Sequence, residues 1–294
     1  MRCANPHTTP QGQAFGCGQC LPCRMNKRRE WMHRILLESY QHEHNAFVTL
    51  TYAEPADRES LNPKHIQDWL HRLRKAIEPA RVRYFVVGEY GDDSQHAHYH
   101  GILFGFQTCV YGQSQFNRRG ECCSNCALVR DTWGKGIVYL GTVESDSAQY
   151  VAGYTVKKMT SKNDPRLNNR HPEFARMSLK PGLGYHAMHE VASQLMQFNL
   201  DTSQLDVPST LRHGKKELPL GRYLKKSLRK MVGKDEKTPE AVTYKLSEEM
   251  LPMRILAKAD KENPSLKLQI KKANQQKLLQ TETRNKIYKG KKSL

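Results

Sequence analysis

His96-Ala97-His98-Tyr99-His100-Gly101-Ile102-Leu103-Phe104-Gly105 reads as one extended strand, and side chains alternate across a strand. His98 and His100 therefore share a face and offer two neutral nitrogen ligands to one metal ion. Upstream, Val82 to Glu89 is a second strand, and Gly91-Asp92-Asp93-Ser94 carries turn chemistry. The two strands form a hairpin, with Glu89 across the short turn from His98, so the three side chains can converge. Two imidazoles suit Mn²⁺ or Zn²⁺, and a carboxylate pulls the preference toward Mg²⁺ or Mn²⁺. The plainer reading is a structural zinc site or histidines on a sheet surface, with Gly88-Glu89-Tyr90-Gly91 as turn chemistry alone.

Outward from this hairpin the elements alternate. Asn26 to about His42 is amphipathic and predicts a helix, and Phe47-Val48-Thr49-Leu50-Thr51-Tyr52 predicts a strand. Pro63 to Glu78 predicts a helix with Pro63 in its first turn. Ile137 to Val143 predicts a strand and Ser147 to Met159 a helix. Together they predict an α+β fold, an antiparallel sheet with helices packed on one face. Three segments follow: a Gly-, Pro- and Cys-rich stretch over 1–25, a main domain over 26–205 with a Cys-rich insertion at about 109–130, and a basic tail over 206–294, partly helical or disordered.

On the predicted helix Gln149-Tyr150-Val151-Ala152-Gly153-Tyr154-Thr155-Val156-Lys157-Lys158, Tyr150 and Tyr154 are i, i+4 neighbours with Lys157 one turn on. A free phenol, with a pKa near 10, is a poor nucleophile at neutral pH, and a nearby Lys or metal that favours phenolate helps. The bland alternative is an aromatic core pair, but Val151, Ala152 and Val156 offer a packing face of their own. A two-histidine metal strand followed by this helix points to DNA cleavage with a tyrosine nucleophile.

The formal net charge is +18, which calls for a polyanionic partner. From Pro208 to Leu294 there are 23 Lys and Arg against 9 Asp and Glu. A solvated basic tail and general nucleic-acid affinity are both readings of that imbalance. The candidates for DNA contact are Lys158, Lys215, Lys216, Arg222, Lys225 and Lys226. Lys27, Arg28, Arg29 and Arg34 could also touch DNA, although a surface helix with one buried stripe explains them. No signal peptide or membrane-length apolar run stands out, which predicts a soluble intracellular protein, not a membrane partner. The 8 cysteines then imply metal ligation or burial rather than a disulfide framework. Cys17, Cys20 and Cys23, with Cys3 or His7 to close the set, could hold Zn²⁺. Cys109, Cys122, Cys123 and Cys126 could supply another four ligands at irregular spacing, or remain reduced and unliganded.

Together these motifs resemble the HUH endonucleases, and more closely the rolling-circle replication initiators of gokushoviruses (Microviridae). The resemblance is carried by Cys17-Gly-Gln-Cys-Leu-Pro-Cys-Arg, Arg28-Arg-Glu-Trp, Phe47-Val-Thr-Leu-Thr-Tyr, Gly88-Glu-Tyr-Gly and His98-Tyr-His-Gly-Ile-Leu-Phe-Gly. It continues through Tyr150-Val-Ala-Gly-Tyr-Thr-Val-Lys-Lys and, more weakly, Met177-Ser-Leu-Lys-Pro-Gly-Leu-Gly. It implies a split-βαβ, RRM- or ferredoxin-like core. His98 and His100, with Glu89 as third ligand, would hold Mg²⁺ or Mn²⁺. Tyr154 and Tyr150 would alternate as nucleophiles, with Lys157 stabilising phosphate or phenolate. The implied action is nicking and rejoining of single-stranded and supercoiled circular DNA at an origin, with host helicase and DNA polymerase, in the host bacterial cytoplasm. The insertion maps onto nothing in that pattern.

Two rivals come from other classes. The run His96-x-His98-x-His100 also looks like the histidine triad of nucleotide hydrolases and transferases, although such enzymes need neither the tyrosines nor the basic tail. A non-enzymatic, zinc-containing nucleic-acid-binding protein is the other. Loss of both tyrosines would spare a triad enzyme, and only a covalent protein–DNA product separates a nickase from a binder.

Overall fold

The computed structural model describes residues 3–91, 95–143, 151–153 and 163–290. The chain divides into two compact units, Arg28–Glu190 and Met1–Lys27 with Val191–Leu294.

Two short antiparallel strands of the second unit, β1 (His7–Thr8) and β2 (Ala14–Phe15), precede α1 (Leu21–Ser39). That helix starts earlier than its amphipathic pattern suggests. Pro22 is tolerated because the first N–H groups of a helix have no intrahelical acceptor.

The Arg28–Glu190 unit then runs β3 (Asn45–Leu50), α2 (Pro55–Arg58), α3 (Pro63–Ala76), β4 (Arg83–Tyr90), β5 (Ala97–Phe104), α4 (Ser124–Trp133), β6 (Val138–Thr142) and β7 (Phe174–Met177). The five strands form one antiparallel sheet in the order β6-β3-β5-β4-β7. β3 and β4, joined through α3, flank β5; β5 and β6, joined through α4, flank β3. These are two interleaved split-βαβ units, the expected α+β arrangement, with β7 added at one edge.

One sheet face packs against α3 and α4. Val48, Leu50, Val86, Leu103 and Leu140 meet Ile66, Trp69 and Leu73 of α3 and Val129 and Trp133 of α4 in one buried cluster. Asn62 caps α3 by accepting from the Lys64 amide at 3.0 Å, and Pro63 occupies the first turn. Gly101 on the central strand permits close packing, since a Cβ there would stand 2.7 Å from Val86 Cγ2 and 3.1 Å from the Phe85 carbonyl. Buried hydroxyls on this face are paired: Tyr52 and Tyr99 lie 2.7 Å apart, and the Asn62 amide donates to Tyr99 at 2.8 Å. Burial pushes both phenols up, so they stay protonated.

The other face receives the later turns of α1. Trp31 packs on Phe85 with ring centroids 5.3 Å apart, and the Arg34 guanidinium lies 4.3 Å above the Trp31 ring. Glu38, fully buried, accepts from Arg83 Nε at 2.5 Å and from the Gly184 amide at 2.7 Å. Arg34 Nε donates to the Leu183 carbonyl at 3.2 Å, and Arg83 to that of Pro181 at 2.8 Å. The Met177–Gly184 motif thus clasps α1 to β4.

In the second unit, the β8–β9 hairpin (Thr210–His213, Lys216–Pro219) leads to helices over Arg222–Met231, Glu240–Glu248, Leu251–Ala259 and Leu266–Gly290. Its basic sequence conceals a core of its own. Leu224 and Leu228, one turn apart, are buried with Val207, Leu218 and Leu220. Arg229 makes a two-pronged pair with Asp206, 2.7 Å at each nitrogen. The amino-terminal segment joins this unit: Asn274 Nδ2 donates to the Cys3 carbonyl at 3.1 Å, and Ser247 to that of Gln11 at 2.6 Å.

Candidate metal centre

Strand register builds the centre. Glu89 on β4 stands directly opposite His98 on β5, and Thr49 on β3 opposite His100. Strand alternation turns these four side chains to the face away from α3 and α4, while Tyr99, between the two histidines, enters the core. Glu89 Oε1 lies 3.0 Å from His98 Nε2 and 3.1 Å from His100 Nε2. The imidazole centroids are 4.9 Å apart and nearly perpendicular. Glu89 is 2% exposed, whereas the His98 side chain keeps 19% of its surface open. The group is buried from below and accessible from above.

The outer nitrogens fix which atoms look inward. His98 Nδ1 lies 3.0 Å from the His96 carbonyl, and His100 Nδ1 2.9 Å from Thr49 Oγ1. A carbonyl only accepts, so His98 Nδ1 carries the proton; assigning the same tautomer to His100 lets it donate to the Thr49 hydroxyl. Both Nε2 lone pairs then face a buried carboxylate oxygen. Such donors repel unless a cation, a proton or a metal ion, lies among them. Their ligand atoms all lie within 4.8 Å of one another, and a His₂–carboxylate set fits Mn²⁺, Mg²⁺ or Zn²⁺ with positions left open for substrate. Oriented by outer hydrogen bonds, it has the form of a supported metal site.

Thr49 and Phe47 were not singled out from the sequence. Phe47 stacks on His100 at 6.0 Å, and Tyr139 of β6 meets Phe47 edge-on at 6.2 Å. Their signal is the alternation of β3, Phe47 and Thr49 against Val48 and Leu50, which becomes informative only once β3 is known to neighbour β5.

Tyr150, Tyr154, Lys157 and Lys158 lie outside the described residues. Between the tyrosines, Val151–Gly153 is helical, with Val151 and Ala152 fully buried. A Cβ on Gly153 would stand 3.5 Å from Arg28 Nε, so the Arg28 guanidinium borders this turn.

Within the second unit, Cys3, Cys17, Cys20 and Cys23 bring their sulfurs within 4.8 Å of one another. Cys3, not His7, completes the group. Cys3 and Cys20 Sγ are 3.8 Å apart, and the Cys17 amide donates to Cys3 Sγ at 3.3 Å. Burial opposes ionisation at Cys17, but the Cys20 and Gln19 amides outweigh it and hold that thiol down at about 6. Burial pushes Cys23 up to about 12. The set fits one tetrahedral zinc ion. Lys215 and Lys216 are exposed at the β8–β9 turn. Arg222, Lys225 and Lys226 share a helix with buried Leu224 and Leu228, and Lys226 pairs with Glu236 at 2.7 Å.

Comparison with known proteins adds a class to this geometry. A family model for replication-associated proteins of the ORF2 type matches residues 45–159, a stretch that includes the metal-centre strands. Among individual relatives, the chain is 34% identical over 172 residues to replication-associated protein VP4 of Bdellovibrio phage phiMH2K, covering 54% of this chain and 53% of that protein. It is 31% identical over 179 residues to replication-associated protein ORF2 of Spiroplasma virus 4, covering 58% and 56%. With replication-associated protein ORF4 of Chlamydia phage 1 it shares 27% over 227 residues, covering 74% and 54%. The chain thus spans about half the length of the curated relatives it matches. These matches bear out the resemblance to phage replication initiators. No solved structure matches the chain, and no described helix is long and apolar enough to cross a membrane.

Proposed function

We propose that this protein initiates phage DNA replication by metal-dependent nicking and joining at the origin. The observation that carries the reading is the convergence of Glu89, His98 and His100 on the open face of a split-βαβ sheet. Mg²⁺ or Mn²⁺ held there would polarise the scissile phosphate as a Lewis acid. Glu89 supplies the charge, the histidines the neutral nitrogens, and Thr49 and the His96 carbonyl hold the rings in place.

The nucleophile is Tyr154 or Tyr150. Its phenolic oxygen bonds to phosphorus, the bond from phosphorus to the 3′ oxygen breaks, and the 3′-OH leaves with a proton. The phenol gives up its own proton to solvent, and Lys157 stabilises the phenolate or the phosphate charge. The 5′ end stays on the enzyme while host polymerase extends the 3′-OH and host helicase opens the duplex. The second tyrosine then cuts the regenerated junction, and the 3′-OH so released attacks the first phosphotyrosine, closing the circle. Lys158, Lys215, Lys216, Arg222, Lys225 and Lys226 contribute phosphate contacts, and zinc in the Cys3/Cys17/Cys20/Cys23 group stabilises the amino-terminal segment. The site of action is the host bacterial cytoplasm.

The test is a denaturing gel of protein incubated with Mg²⁺ or Mn²⁺ and labelled origin DNA, single-stranded or supercoiled. A metal-dependent, SDS-resistant adduct that disappears in Tyr150→Phe/Tyr154→Phe, with DNA binding retained, is expected. Adduct persisting in the double variant overturns the nucleophile assignment, and binding without adduct on origin DNA overturns the nickase.

A further inference from the structure

We propose that Cys109, Cys122, Cys123 and Cys126 form a structural zinc site that pins the Cys-rich insertion onto the free edge of the sheet. In sequence the four are spread over 109–126 with two adjacent, a spacing that suggests nothing regular. In space all four sulfurs lie within 4.8 Å of one another. Cys109 Sγ is 3.7 Å from Cys122 Sγ and 3.8 Å from Cys123 Sγ. A tetrahedron with metal–sulfur bonds of about 2.3 Å has edges of about 3.8 Å. A disulfide would bring two sulfurs to about 2.05 Å. Four sulfurs this close enclose one ion rather than a polynuclear cluster.

The surroundings suit thiolates. Cys123 is the N-cap residue of α4 and Cys126 lies in its first turn, where the helix dipole favours negative charge. The Gln115 amide donates to Cys122 Sγ at 3.3 Å, and Ser114 Oγ lies 3.2 Å from Cys126 Sγ. Cys109 and Cys126 are 1% and 0% exposed, as in a closed structural site rather than an open catalytic one. The Cys20-Leu-Pro-Cys23 pair enters α1 in the same manner.

The consequence is mechanical. β6 is an edge strand, with unpaired backbone groups on its outer side. The insertion pairs with them: the Ser114 amide donates to the Leu140 carbonyl at 2.8 Å, the Thr142 amide to that of Gly112 at 3.1 Å, and the Leu140 amide to Ser114 Oγ at 2.8 Å. Tyr139, in the aromatic row beside His100, donates its hydroxyl to Gln113 Oε1 at 3.1 Å. Zinc would hold the loop that closes this edge. None of this depends on DNA cleavage.

The experiment is elemental analysis of the purified full-length chain, with hydrogen exchange before and after chelation. Cys109→Ser/Cys126→Ser is expected to lose one zinc ion per chain relative to wild type, and Cys3→Ser/Cys17→Ser to lose the other independently. If the first variant does not fold, the wild type still decides: stripping zinc should speed exchange at the Ser114, Leu140 and Thr142 amides by at least about tenfold, as expected where opening loses about 1.4 kcal/mol or more. Co²⁺ loaded into Cys3→Ser/Cys17→Ser protein should still show thiolate charge-transfer absorption. Unchanged zinc in a folded Cys109→Ser/Cys126→Ser variant, unchanged exchange on chelation, or stoichiometric iron in its place overturns the proposal.

Discussion

The two faces of the central sheet are built from the same strands and do opposite things. Toward α3 and α4, every second residue is apolar or a tyrosine whose hydroxyl is paired within the protein. Toward the other side, the intervening residues include Arg83, Glu89, His98, His100 and Thr49. Even there, two buried carboxylates differ. Glu38 on α1 meets the Arg83 guanidinium and the Gly184 amide, donors that answer its charge. Glu89 meets two imidazole nitrogens whose outer protons are directed to oxygens elsewhere. A carboxylate surrounded by donors is a structural joint, and one facing lone pairs is a place for a cation.

The largest effect expected from breaking this contrast is on His98→Ala. Losing a ligand should slow metal-dependent adduct formation by on the order of 10³-fold, a few kcal/mol of barrier, with little change in Tm, as single-turnover gels and a thermal melt would check. A Tm collapse would instead mark the group as a structural metal site. On the opposite face, Leu103→Ala should cost about 3 kcal/mol of stability by leaving a cavity, read by urea titration, while Mn²⁺ affinity of the folded fraction stays unchanged.

Next comes Glu38→Gln, which should cost about 2 kcal/mol at neutral pH by weakening charged hydrogen bonds. Burial opposes ionisation of Glu38, yet His42, the Gly184 amide and Arg83 more than offset it and hold its carboxyl below the ordinary range. Its contribution is therefore fully present above the unfolded pKa of about 4.3 and lost as pH falls through the lowered folded value. The gap between wild type and Glu38→Gln should narrow on acidification, and urea titrations from neutral pH downward would show it. The smallest effect is Thr49→Val, which keeps the shape but removes the hydroxyl that orients His100. It should weaken Mn²⁺ binding about tenfold and leave Tm unaltered, as calorimetric titration and melting would test.

Much of the sheet was legible because its strands carry strict alternation. His98 and His100 had to share a face, and the short turn brought Glu89 across from them. Pro63 marked the start of α3, and Val151 and Ala152 read correctly as buried residues. What stayed hidden depended on which strands meet. Thr49 and Phe47 belong to the centre because β3 lies beside β5, a neighbour relation created by the α3 crossover. The carboxy-terminal core was masked by its charge: between Arg222 and Met231 the lysines and arginines outnumber the leucines, yet Leu224 and Leu228 one turn apart suffice to bury a stripe.

The sequence by itself determined the donor atoms and the face they share, because a strand's period of two leaves side chains no other choice. It equally determined a polyanionic partner, through a charge that no folding alters. Tertiary structure decided which donors meet. Glu89 reaches His98 by hairpin register, Thr49 reaches His100 across a crossover, and Cys109 reaches Cys126 only because the insertion doubles back along β6. Such long-range proximity comes from chain closure and packing, which local periodicity does not encode.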